Sequence, residues 1–95
     1  MLWGVTRKYT FDPANSMVID TYVRDVFVPV LRKAPGFVAY YWLDSGDGHG
    51  VSLSVFTDKA GADRSGEIAA EFVKTNLADL VGKPEVVEGR VAAHS

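Results

Sequence analysis

The chain contains no cysteine, which removes disulfides, thiolate zinc sites, iron–sulfur clusters and thiol nucleophiles from consideration. It has two histidines, His49 in a glycine-dense stretch and His94 beside the last residue. No pattern of Asp or Glu accompanies either, so no metal site is expected. Positive charge is not in excess. Ten Lys and Arg against twelve Asp and Glu leave a net charge of −2 and a pI near 5.5, which offers no footprint for a nucleic-acid backbone. The first residues lack a basic segment followed by a long apolar run, so neither a signal peptide nor a membrane span is expected, and the reading is cytoplasmic. No dinucleotide fingerprint occurs, and haem, flavin or nicotinamide cofactors are not expected. Gly46-Asp47-Gly48-His49-Gly50 leads into a strand without a following helix and is read as a hairpin, not a phosphate cradle. Asp63, Glu67 and Glu71 recur at helical spacing and read as a solvated face, not as paired catalytic carboxylates.

What remains is a chain of 95 residues, 47% hydrophobic and 23% charged, the profile of one globular domain spanning residues 1–95. Leu2 to Thr10 reads as a strand with Trp3, Val5, Arg7 and Tyr9 on one side. Asp12 to Ser16 supply turn and cap chemistry, and Ile19, Tyr22, Val23, Val26 and Val30 then trace a helical stripe. Pro29 is expected to kink that helix or end it early. Ala34-Pro35-Gly36 breaks it, and Gly36 to Asp44 follow as a strand carrying no charge from Phe37 to Leu43. The hairpin at residues 44–50 returns into Val51 to Phe56, where valine and leucine alternate with serine. Thr57 or Asp58 caps a second helix with its stripe at Ala69, Phe72, Val73, Asn76, Leu77 and Leu80. Glu85 to Ala93 form the last strand.

The order is β-α-β-β-α-β, an α+β class chain with a ferredoxin-like fold: a four-stranded antiparallel sheet with both helices on one face. The other face must then be polar or be covered. Whichever parity of the strand at residues 36–44 meets the helices, the remaining side is apolar or aromatic, and the sequence leaves that parity open. A second copy of the chain, packed through the sheet faces, is the expected cover.

Pro35-Gly36-Phe37, the aromatic strand after it, the hairpin to Val51-Ser52-Leu53-Ser54-Val55-Phe56, the helix from Asp58, Pro84 and the last strand resemble the dimeric α/β-barrel proteins of the antibiotic biosynthesis monooxygenase-like superfamily, over nearly the whole chain. The resemblance implies two ferredoxin-like subunits packed sheet against sheet, with a cavity between the sheet and the helices of each. Family members include cofactor-independent monooxygenases, quinone-modifying enzymes and haem-degrading oxygenases. The haem-degrading pattern is not met: Phe56 stands at its tryptophan position, its histidine position falls near Gly66, and the first strand has no Asn.

Two functions follow. One is a small homodimer of unassigned activity that binds a small molecule. The other is a cofactor-independent monooxygenase of a small aromatic or quinone-like substrate, in which the protein supplies a pocket and holds an anion. For either, Tyr22, Tyr40, Tyr41 and Trp42 are candidate aromatic walls, Arg7 the cation and Asn76 a polar handle. The substrate-binding set is Arg7, Tyr22, Tyr41, Trp42 and Asn76, and no catalytic residue is assigned. His49 and His94 are read as solvated and inert.

Overall fold

The computed structural model describes residues 1–95. Strand β1 (Trp3–Thr10) leads through a 3-10 turn (Pro13–Asn15) into helix α1 (Ser16–Tyr22), which runs on through a π turn (Val23–Phe27) into α2 (Val28–Leu31). Strands β2 (Phe37–Asp44) and β3 (His49–Phe56) form a hairpin. Helix α3 (Lys59–Phe72) ends in a second π turn (Val73–Leu77), and β4 (Glu85–Arg90) closes the chain. The sheet has four strands in the order β2-β3-β1-β4, all neighbours antiparallel, which is the ferredoxin-like plan. No helix is long and apolar enough to cross a membrane.

Local chemistry accounts for the boundaries. The Asp12 carboxylate accepts from the Ala14 amide at 2.9 Å and so opens the 3-10 turn. Of the two capping residues open in the sequence, Asp58 caps α3, accepting from the Gly61 amide at 2.8 Å, which satisfies a donor the helix cannot use itself. In the hairpin, Gly46 and Gly48 have φ of 85° and 93°, left-handed values that a side chain disfavours. The Gly48 carbonyl accepts from the Phe11 amide at 2.9 Å, tying the hairpin to the end of β1.

The helix runs on for two residues past Pro29, to Leu31, and the π turn that shifts the backbone bonding stands just before it. One expectation is corrected, the stripe of the first helix. Ile19, Val23, Phe27 and Leu31 are buried, whereas Tyr22, Val26 and Val30 face outward. A spacing of four residues exceeds the roughly 3.6 of an α-helix, and the wider π turn absorbs the drift that would otherwise rotate the stripe off the sheet.

The parity of the strands is now decided. Val5, Arg7 and Tyr9 of β1 lie under the helices beside Ser52, Ser54 and Phe56 of β3. From β2, Tyr40 and Trp42 face the same way, opposite Ser54 and Ser52. An irregularity between Phe37 and Ala39 lets Phe37 also reach inward, where its ring meets Phe56 edge-on at 6.0 Å. The core joins Val5, Ile19, Leu31, Phe56 and Ala62, all fully buried. The opposite face of the sheet carries Thr6, Tyr41, Leu43, Leu53 and Val87, and Tyr41, Leu43 and Val87 are 61%, 66% and 70% exposed.

Gly50 lies under the Trp42 ring. A Cβ there would overlap the indole carbons and stand 3.1 Å from the Phe11 ring. Gly50→Ala is therefore expected to destabilise the fold by about 1–3 kcal/mol, the range of overpacking in a tight core, read as a lower urea midpoint and a change in tryptophan emission.

Candidate functional site

Arg7 is the unusual residue of the interior. It is 5% exposed, yet no carboxylate lies within ion-pair distance, and the chain's ion pairs are Arg24 with Asp25 and Lys59 with Asp63, both on the surface. A guanidinium has five N–H donors. One of them, on Nη2, donates to the Ser65 hydroxyl at 3.3 Å. Ser65, itself fully buried, donates in turn to the Ala62 carbonyl at 2.6 Å, so its lone pair is aimed at Arg7. Burial is the main influence on Arg7 and lowers its pKa from the ordinary arginine value; a guanidinium nonetheless stays charged in proteins.

Two phenols neighbour this cation. Burial raises the Tyr9 pKa, more than Arg7 lowers it. Tyr40 is raised further, by burial and then by Tyr9, against the smaller opposing effects of the Ser52 hydroxyl and Arg7. Both are therefore neutral hydrogen-bonding groups at neutral pH and cannot serve as counter-ions to Arg7. Trp42 closes the side toward β2: its ring meets Tyr9 at 6.0 Å and Phe11 at 6.4 Å, and its Nε1 donates to Asp20 at 2.8 Å. The Asp20 carboxyl is raised above the ordinary range, chiefly by partial desolvation, with Asp44 adding to the rise and the Trp42 bond opposing it.

Arg7, Tyr9, Tyr40, Trp42 and Ser52 enclose an internal cavity of about 20 Å³ under Phe27, Phe72 and Val73, room for a single water. On the other side of Arg7 and Tyr9 lies an open cleft of about 500 Å³ between α3 and β4, bordered by Gly66, Ala69, Val73, Val81 and Pro84. Arg7, Tyr9, Ala69, Val73 and Val81 line both spaces and form the wall between them. Gly66 leaves the Arg7 end of the cleft free: the nearest atom to a Cβ built there is Arg7 Nη2, at 3.6 Å.

Of the candidate residues, Arg7 and Trp42 are brought together. The other three are not, which corrects the sequence reading of one shared pocket. Tyr41 lies on the opposite face of the sheet because side chains alternate along β2. Tyr22 sits on the outer side of α1 beside Met17 and Val18. Asn76 belongs to the second π turn, where its side-chain amide donates to the Phe72 carbonyl at 3.2 Å, and it borders a groove between the helices lined also by Val26, Val30 and Ile68. His49 is exposed in the hairpin and His94 is exposed at the terminus. Tyr9, Ser52 and Ser65 were missed. Tyr9 shares the Arg7 side of β1 by simple alternation and could have been found that way, whereas nothing local marks Ser65, which meets Arg7 only through the packing of α3 on the sheet.

No protein-family profile and no curated protein sequence matches the chain. Solved structures do. A protein of unknown function from Nitrosomonas europaea superposes with a TM-score of 0.83 at 18% identity, over 99% of this chain and 92% of that one. A candidate antibiotic biosynthesis monooxygenase from the same organism gives 0.80 at 11% identity, covering 96% and 90%. A cofactor-independent oxygenase from Streptomyces nogalater gives 0.70 at 20% identity, covering 98% and 95%. The fold is that of the antibiotic biosynthesis monooxygenase-like proteins. At such identities the likeness is one of architecture, and one architecture can host many chemistries.

The raised phenols carry a stability consequence. Below pH 10 both Tyr9 and Tyr40 are neutral in the folded and unfolded chains. Above it the unfolded phenol ionises first, because the folded pKa lies higher, so stability present below the ordinary tyrosine value of 10.0 is lost as pH rises past it. The melting temperature is expected to fall between pH 9.5 and 11, less steeply in Tyr40→Phe than in the parent.

Proposed function

We propose that the protein is a homodimer, packed through the open faces of its two sheets into an α/β-barrel, that binds a small aromatic molecule between each sheet and its helices. The observation that carries this reading is the assignment of the two sheet faces. An ordinary one-sided sheet buries its apolar side chains under the helices and shows its polar ones to water. Here Ser52, Ser54 and Arg7 lie under the helices, while Leu53, Leu43, Tyr41 and Val87 face outward. The outward set supports an interface with a second sheet. The inward set supports a ligand site, since a buried cation with free donors beside an open cleft of about 500 Å³ holds an oriented small molecule better than it fills a core.

A second reading, a cofactor-independent monooxygenase of a small aromatic or quinone-like substrate, is favoured by Arg7 and Tyr9, which both line the open cleft of about 500 Å³, and by the fold shared with the Streptomyces nogalater oxygenase. In that chemistry the substrate enters as, or becomes, an electron-rich anion, and the protein's part is to stabilise it with fixed donors in a water-poor site. Arg7 and the neutral Tyr9 phenol, which both line the cleft, are suited to that part. The phenol keeps its proton at neutral pH, so it can donate a hydrogen bond to the anion but cannot take up a proton from the substrate. Oxygen uptake with a hydroquinone probe, above autoxidation and reduced at least tenfold in Arg7→Met, is the outcome expected of this second reading.

The dimer has its own test. Sedimentation equilibrium at micromolar concentration is expected to give twice the chain mass of 10.3 kDa. Leu53 lies between Thr6 and Tyr41 on the open face, and Leu53→Asp is expected to return the single-chain mass with the helical circular dichroism retained. A parent that sediments as a single chain would overturn the dimer.

A further inference from the structure

We propose that the ligand of this site is an aromatic carboxylic acid, bound with its carboxylate on Arg7 and its ring in the cleft between α3 and β4. The inference rests on the small-molecule reading above and adds the ligand's charge, its orientation and the side from which it arrives.

The charge follows from Arg7. A buried cation ordinarily has a counter-ion, because removing a guanidinium from water costs several kcal/mol after relaxation. Arg7 is 5% exposed and has one hydrogen bond, to Ser65. Glu88 borders the same cleft but forms no ion pair with Arg7. Its carboxylate instead accepts from the Trp3 indole at 3.2 Å, and its pKa is raised, by burial and then by Asp63. Tyr9 and Tyr40 are held neutral by burial. The protein thus holds a cation with free donors and no anion bonded to them: Glu88 acts on Arg7 only from beyond ion-pair distance, with an upward pull on its pKa smaller than the effect of burial. A carboxylate matches the planar fork of a guanidinium with two parallel hydrogen bonds.

The orientation follows from the two spaces beside Arg7. The internal cavity of about 20 Å³ is too small for a ring. The cleft of about 500 Å³ lies within the range of small-molecule sites, and Ala69, Ala70, Val73, Val81, Pro84 and Val86 give it an apolar wall. Lys74 and Lys83 also border it, so three cations stand against the single carboxylate of Glu88 in a chain whose net charge is −2. Such a local excess draws an anion toward the cleft. Gly66 faces the Arg7 end with no side chain, which leaves the guanidinium reachable from this direction.

The test compares two isosteric probes, 2-naphthoate and 2-naphthamide, by calorimetry at neutral pH and low salt. The parent chain is expected to bind the acid at least tenfold more tightly than the amide. Arg7→Met is expected to erase that ratio. Gly66→Leu, which places a side chain over the Arg7 end of the cleft, is expected to weaken the acid at least tenfold without lowering the melting temperature. The ratio on the parent does not depend on any variant folding. An amide that binds as tightly as the acid would overturn the anion while leaving a small-molecule site in place. Unchanged acid binding in Gly66→Leu would overturn the cleft as the ligand's location. A parent that binds neither probe at millimolar concentration would overturn both this inference and the binding reading beneath it.

Discussion

Two helices can cover only one face of a four-stranded sheet, and this chain's character comes from what it places on each side of that sheet. The covered face receives serines, phenols and an arginine as well as apolar residues. The uncovered face receives valine, leucine and Tyr41. Both choices are unfavourable for a chain by itself. Burying a guanidinium costs several kcal/mol, and each large apolar side chain left in water forgoes about 1.5–3 kcal/mol of burial. A second sheet would relieve the outer face, and an anion beside Arg7 would relieve the inner one. The proposals for assembly and for ligand therefore spring from the same arrangement of β1, β2 and β3.

The helices show how such a face is covered without being sealed. The buried residues of the first helical stretch fall every four positions, at Ile19, Val23, Phe27 and Leu31, and a regular α-helix would turn them progressively away from the sheet. The π turn at Val23–Phe27 keeps them in line. A second π turn, Val73–Leu77, follows α3, and Val23, Phe27, Val73 and Leu77 all border the internal cavity. The wider turns thus lie where the sheet carries its polar residues, a placement common for π turns at binding sites.

The electrostatics of the interior divide the labour between Arg7 and the tyrosines. Desolvation acts on both in the direction of neutrality, but the arginine begins so high that it stays charged, while the phenols are driven further into the form they already hold. The result is a fixed cation flanked by neutral hydroxyls, with Ser65 holding the guanidinium from the helix side. Trp42 adds a wall that is itself held from outside by Asp20 and has its space beneath it only because residue 50 is glycine.

The β-α-β-β-α-β order, the ferredoxin-like sheet and the hairpin at residues 44–50 were legible in the sequence, because turn chemistry at Pro35-Gly36 and Gly46 to Gly50 and the run of apolar residues between them act locally. So was the side shared by Arg7 and Tyr9, which alternation along a strand dictates. The side of β2 that meets the helices was not, since either set of its residues is apolar and burial energy alone does not choose between them. The choice came from registry with β3, whose serines oppose Tyr40 and Trp42, and it separated Tyr41 from Trp42. The helix stripes misled at Tyr22, which stands on the outer side of the regular helix α1, and at Asn76, which lies in a π turn, where the period on which such stripes are read changes. Ser65 and Gly66 meet Arg7 across the chain, and only the docking of α3 on the sheet could place them there.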